Sequence, residues 1–305
     1  MDHPSVVVRE LGQSPDAREG PCDGRADTAA LADTHSTHPL SPVVEAAVCR
    51  DRPLEILYRD AHLVAIAKPR GLLVHRTRLD WWATDFAVQR LRDQLGCPVY
   101  PAHRLDKATS GVLLFALTQA VRVQLGAAFE RGAVTKRYVA IVRGWPADRL
   151  HIDRALERLG DAYDTSTTSA AGPQAAVTLV ARLATAELPV QVDRYPTSRY
   201  SLVALEPRSG RRHQLRRHLK HAGYPIIGDT TYGQGRHNRL FRSRFGCERL
   251  LLTAVSLDLA HPRLGTPLHI DAAPAEDFLN VATLLGWPDA AALARAAGSD
   301  PWPTP

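Results

Sequence analysis

No run of 18 or more apolar residues occurs in this chain of 305 residues, which excludes a helix crossing a membrane. Cysteine is scarce, and the four present (Cys22, Cys49, Cys97, Cys247) are scattered without a CxxC pair. This excludes a disulfide framework or a cysteine-based zinc site, and a reducing, cytoplasmic setting is expected. The opening residues lack a basic stretch followed by an apolar one, so no secretory signal is expected. His213, His218 and His221 raise the question of a metal, but no carboxylate or cysteine pattern completes a ligand set, and none is expected. Self-similarity at a fixed period, the mark of repeat architectures, is also missing.

What is present is a chain 45% hydrophobic, enough for one large domain or two small ones. The formal charge is +6, and its distribution is uneven. Residues 1–50 hold eight acids and four bases, whereas residues 208–249 hold eleven Lys/Arg against only Asp229 and Glu248. A basic run is often just a solvated face. Here it is interleaved with Tyr224, Tyr232, Phe241 and Phe245, the mixture used by surfaces that meet phosphates and bases, and it favours a nucleic-acid partner.

Residues 1–53, rich in Pro, Ser, Gly, Asp and Ala, read as an extension without stable structure. Residues 54–288 read as the domain, and 289–305 as a peripheral helix and frayed tail. Residues 54–58 and 62–67 read as strands joined by an Arg59-Asp60-Ala61 turn, and Lys68-Pro69-Arg70-Gly71 stops the second. A helix is predicted over 84–95, with Thr84 as N-cap and Gly96 closing it. Gly111 to Leu117 reads as a buried strand, and Thr118 caps a helix with Val121, Leu125 and Phe129 inward. Lys136 to Arg143 returns to strand, with Tyr138, Ala140 and Val142 on one face and Val139 and Ile141 on the other. Residues 159–175 read as a loop, Tyr200 to Glu206 as a strand, Gly210 as the opening of a helix, and 250–259 and 267–271 as further strands. Strands and helices without regular alternation argue for an α+β fold.

Several of these pieces could carry chemistry. Asp106 lies in His103-Arg104-Leu105-Asp106, just before Thr109-Ser110-Gly111 and a buried strand. An aspartate there is usually a turn former. Tyr138 on its strand would ordinarily be core. Gly210-Arg211-Arg212-His213-Gln214-Leu215-Arg216 is either solvated surface or a place for an anion.

Taken together, these pieces resemble the pseudouridine synthases that carry a His-Arg-Leu-Asp signature. The motifs are Lys68-Pro69 with Gly71, His103 to Asp106 with Thr109-Ser110-Gly111, Lys136-Arg137-Tyr138, and Gly210-Arg211 with His213 to Arg216 and His218. The likeness runs from about Leu54 to Trp287. Residues 54–58, Arg194-Tyr195-Pro196-Thr197 and 225–229 look most like the branch that modifies uridine 65 of tRNA. Two departures stand out: Lys107-Ala108 where that branch commonly has Arg-Pro, and Leu252-Thr253-Ala254 where the family often has Leu-His-Ala.

The resemblance implies the pseudouridine synthase fold, a mostly antiparallel mixed sheet flanked by helices and loops. It implies Asp106 as nucleophile, Arg216 as the cation that keeps it charged, and Tyr138 as the tyrosine that meets the base and assists proton removal. Arg104, Lys136, Arg211, Arg212, His213 and Gln214 would contact RNA. The reaction moves no electrons and no external group, so no cofactor is expected. The expected partner is RNA, foremost tRNA, met by a monomer with no membrane. Ribosomal RNA as substrate, or a non-catalytic RNA-binding protein in which Asp106 only shapes a loop, remain alternatives. A glycoside hydrolase fits less well, because no partner carboxylate accompanies Asp106.

Overall fold

The computed structural model describes residues 52–76, 84–159 and 172–299. The expected extension falls almost wholly outside them, as do most of the 159–175 loop and the last residues of the tail.

Strands β1 (Ile56–Arg59) and β2 (Leu63–Lys68) form the predicted hairpin. Asp60 makes its turn: one carboxylate oxygen accepts from the backbone N–H of His62 and Leu63 at 2.6 and 2.7 Å, and the other accepts from the Tyr58 hydroxyl at 2.6 Å. Helix α1 (Ala87–Leu95) begins later than predicted. Thr84 is not its cap; Phe86 takes that place in an extended conformation, because it is bridged to Leu73. Gly96 ends the helix in the left-handed region, as the sequence suggests. The short β3 (Tyr100–Pro101) leads to the fully buried β4 (Ser110–Ala116). Thr118 caps α2 (Gln119–Glu130), its hydroxyl accepting from the Val121 N–H.

Strands β5 (Thr135–Arg143), β6 (Arg149–Asp153), β7 (Val177–Leu188) and β8 (Ser198–Pro207) follow. Then come α3 (Gln214–His221), α4 (Gly235–Phe245), β9 (Leu252–Ala260), β10 (Pro267–Asp271), α5 (Glu276–Leu284) and α6 (Ala290–Ser299). Gly210 does not open α3. The chain turns through Arg211–His213 first, and the helix begins at Gln214. Helix α6, read from sequence as peripheral, buries Ala290 and Ala294 in the core.

The strands form one mixed sheet ordered β1-β2-β4-β9-β5-β8-β7-β6, with β10 beside β9 and β3 beside β4. Every named pairing is antiparallel except β4 with β9. At that junction Gly111 faces Ala254, and a Cβ on Gly111 would lie 1.9 Å from the Ala254 carbonyl oxygen. Only glycine permits the approach, and its φ of 107° is one that other residues avoid.

Strand β5 feeds two cores by simple alternation. Tyr138, Ala140 and Val142 join the cluster that holds Leu105, Leu215 and Leu219, while Val139 and Ile141 join the one with Tyr200, Phe241 and Phe278. Full burial of a Leu or Phe contributes about 1.5–3 kcal/mol. The first cluster therefore supplies a stiff floor beneath the loop that carries Asp106.

Candidate active site

Asp106 sits between β3 and β4 on a loop held from several sides. Buried Lys68, at the end of β2, donates to the carbonyl oxygens of Pro69 (2.9 Å), Leu72 (2.8 Å) and Lys107 (3.3 Å). The Gly71 N–H reaches the same Lys107 oxygen at 2.8 Å, and the Thr109 N–H closes on the Asp106 carbonyl at 3.0 Å. Burial pushes the Lys68 ammonium down to about 7, against the pull of the Asp106 charge. His103 stacks on Phe129 and its Nε2 accepts from the Leu114 N–H at 3.1 Å. Burial, with Lys136 nearby, pushes that imidazole down to about 3, so it stays neutral and acts as a fixed post.

The carboxylate meets its cation across the fold. Arg216, in the first turn of helix α3 after its His213 cap, donates from Nη1 to Asp106 Oδ2 at 3.3 Å. Its other face grips buried Asp229 through Nε (2.7 Å) and Nη2 (2.8 Å). Asp229 also accepts from the N–H groups of Thr231 and Tyr232, both at 2.9 Å. Burial alone would raise the Asp229 carboxyl, but these bonds outweigh it and hold it below its ordinary value. Arg216 is thus oriented by a bidentate pair on one side and presents a guanidinium nitrogen to Asp106 on the other.

His213 has the one left-handed backbone among described residues other than glycine, with φ at 55°. That turn brings its Nε2 to 3.8 Å from Asp106 Oδ1, while its Nδ1 lies 3.0 Å from the Tyr232 hydroxyl. Tyr232 lies under the Arg216 guanidinium as well, 5.1 Å from its ring centre. Burial, and then the Asp106 charge, raise the Tyr138 phenol, so it stays protonated near neutral pH. A neutral phenol can stack on a base or donate a hydrogen bond; acting as a tyrosinate base is disfavoured.

All nine residues singled out from the sequence line one cleft of about 1100 Å³: Arg104, Asp106, Lys136, Tyr138, Arg211, Arg212, His213, Gln214 and Arg216. Gln214 nevertheless has inward tasks. Its amide oxygen accepts from Ser209 Oγ (2.7 Å) and the Arg211 N–H (3.0 Å), and its nitrogen donates to the Val177 carbonyl (2.9 Å) and Thr178 Oγ1 (3.1 Å). It fastens the basic turn to β7. Lys136, whose ammonium burial lowers, donates to the Ser209 carbonyl at 3.1 Å.

The sequence reading passed over Asp229 and the Lys68 side chain as parts of the site. For Asp229 a signal existed: it is one of only two acids among residues 208–249, and so a ready partner for an arginine. Thr253, one of the departures, is buried and shares a hydrogen bond of 2.7 Å with Ser110; Arg249 reaches the same serine at 2.6 Å. The unusual residue therefore helps bind β9 to the strand that follows Asp106.

Among the described residues, no group of three or more His, Cys, Asp or Glu is placed to hold a metal. No helix there is long and apolar enough to cross a membrane.

A model of the RNA pseudouridylate synthase family matches residues 62–221. A tRNA pseudouridine synthase C from Pectobacterium carotovorum subsp. carotovorum is 48% identical over 81% of this chain, which spans 65% of that protein. The protein of the same name from Salmonella typhi is 48% identical over 77% of the chain, which here spans 90% of the relative. Among solved structures, Human RNA Pseudouridylate Synthase Domain Containing 4 matches with a TM-score of 0.58 at 26% identity, over 80% of this chain and 96% of that one. Human RNA Pseudouridylate Synthase Domain Containing 1 matches with a TM-score of 0.58 at 24% identity, over 82% and 97%, and bears on the fold.

Proposed function

This chain belongs to the RNA pseudouridylate synthase family, and from that premise we propose that it isomerises a uridine of tRNA, the one at position 65, with Asp106 as nucleophile. The catalytic domain in this reading begins at residue 54 and includes helix α6, with 1–53 as an accessory segment. In this reading the protein acts as a monomer, in the cytoplasm.

The observation that carries the reading is the clamp Asp229–Arg216–Asp106. It sets a carboxylate in a wide basic cleft opposite a cation whose own orientation is fixed by Asp229. Isomerisation breaks the C–N bond between base and ribose and makes a C–C bond between the same partners; the base carbon loses its proton and the freed ring nitrogen takes one up. A carboxylate that forms a covalent adduct divides this into easier steps. Arg216 keeps a positive charge beside the carboxylate as a nucleotide enters the cleft. Tyr138, apolar in its ring and protonated at its tip, suits stacking on the base and donating to it. The target must leave its stack, a cost of a few kcal/mol that is smaller in a loop or at an end. Arg104, Lys136, Arg211, Arg212 and His213 line the cleft where phosphate contacts can offset it.

The test is to incubate purified protein with tRNA and map pseudouridine along it, using wild type and Asp106→Asn. Wild-type modification at position 65, lost in the variant, is the expected result. Modification confined to ribosomal RNA would overturn the substrate, and full modification by the variant would overturn the nucleophile.

A further inference from the structure

Beside the cleft lies a smaller recess of about 180 Å³. Five arginines line it, Arg104, Arg158, Arg211, Arg212 and Arg217, with Glu157 the acid among them. Arg104, Arg211 and Arg212 line the cleft as well, so recess and cleft share a wall. Two of the arginines are tethered to the backbone. Arg217, buried in α3, donates from Nη1 to the Glu157 carbonyl at 2.9 Å, and Arg211 donates from Nε to the Ala175 carbonyl at 3.1 Å. Each tether uses one guanidinium nitrogen and fixes the direction of the side chain.

Like charges gathered in one hollow repel, and an anion relieves them. The arginine fork matches the oxygens of a phosphate in particular. Size narrows the choice further. The recess is well below the roughly 300 Å³ of a pocket for a drug-sized molecule, yet holds several times the roughly 30 Å³ share of one water. It has room for a phosphate group and some water, and its arginine lining favours an anion over a neutral group.

We propose that this recess is a phosphate subsite, which takes a backbone phosphate of the RNA strand close to the nucleotide presented to Asp106 and sets the register of that strand. The inference rests on the proposed RNA substrate and assigns Arg158 and Arg217 to its recognition. Phosphate contacts position a strand without reading its sequence. A subsite sharing three arginines with the cleft would fix which nucleotide falls opposite the carboxylate.

The experiment measures binding of tRNA to the full chain across a salt series, for wild type and for Arg158→Gln, an exposed change that leaves the core untouched. The variant should bind roughly three- to tenfold more weakly, with a salt slope lower by about one. Transcripts carrying one uncharged methylphosphonate at each linkage around the target then locate the contact. One of them should weaken binding to wild type and add little to the defect of Arg158→Gln. Inorganic phosphate forms the second arm and should compete for wild type better than for the variant.

An unchanged affinity and slope in Arg158→Gln would overturn the subsite. Competition by inorganic phosphate, with no linkage set apart by the methylphosphonates, would overturn the backbone assignment in favour of a free anion. Pseudouridine is scored in the same samples. Phosphate-dependent binding without product sinks the isomerase reading alone, and product without a recess effect sinks the subsite alone.

Discussion

Two clusters in this fold are built from the same residue types, and only one faces the cleft. The first joins Asp106 to Arg216, with His213 and Tyr232 beside it. The second joins Asp193 to Arg143 at 2.8 Å, with His237 at 3.1 Å and the Tyr200 hydroxyl against that imidazole at 2.8 Å. Both aspartate side chains are 28% exposed, so exposure does not tell them apart. The difference lies in how fully each carboxylate is occupied. Asp193 is bound by Arg143 and by His237, whose ring meets a Tyr200 packed against Phe241, and the hydrogen bond from His237 leads the effects that hold its carboxyl below the ordinary value. Asp106 accepts one long bond at 3.3 Å and has an imidazole at 3.8 Å, while the tight bonds of Arg216 go to Asp229. A carboxylate held loosely by a firmly held cation keeps a lone pair for chemistry; one saturated by its neighbours is structural.

The sharpest way to break this contrast is at the two aspartates. Asp106→Asn should lower pseudouridine formation on the order of 10⁴-fold or more, measured in single-turnover assays with tRNA, at nearly unchanged thermal stability. A next step removes the grip on the cation. Asp229→Asn leaves Arg216 buried with one charged partner fewer. It should cost about 3–5 kcal/mol of unfolding free energy in urea and depress activity as well, since breaking a buried pair strands its other half.

Lys68 sharpens the contrast through pH. Its folded value near 7 lies below its ordinary 10.5, so above pH 7 the unfolded chain holds a proton that the folded chain has released. Stability therefore gains from rising pH in that window, with a limiting slope of about 1.4 kcal/mol per pH unit. The difference between wild type and Lys68→Met, followed by urea unfolding from about pH 6.5 to 8.5, should show that slope. A flat difference would mean that the ammonium stays charged in the fold.

The smallest effect belongs to Asp193→Asn, which should cost about 1 kcal/mol at neutral pH and leave modification within about twofold. Its contribution is present above the ordinary 3.8 and fades as pH falls through the lower folded value, so the gap to wild type should narrow in acid.

Much of this was legible beforehand wherever local periodicity decides the structure. The two-faced strand β5, the buried β4 and the Thr118 cap all follow from spacing alone. What escaped depended on distant partners. Strand β7 is rich in Ala and Leu, which favour helix in isolation, and it becomes a strand by pairing with β6 and β8. Helix α1 starts late because Phe86 is drawn to Leu73. In the site, motif order brought the nine cleft residues into view, but that Arg216 presents a nitrogen to Asp106 emerges only when the 110 residues of separation between them are folded away; Asp229, 13 residues from Arg216, was within local reach.

The place of β9 has a consequence for how the protein is made. It lies between β4 and β5 although it is synthesised after both, and after β8. A nascent chain that has reached only α3 already contains Asp106 and Arg216, yet the facing edges of β4 and β5 lack the strand that joins them. Such long-range closure comes late in folding. During translation Asp106 and Arg216 are therefore present before the sheet that aligns them, and the cleft is assembled only once residues 252–260 have left the ribosome.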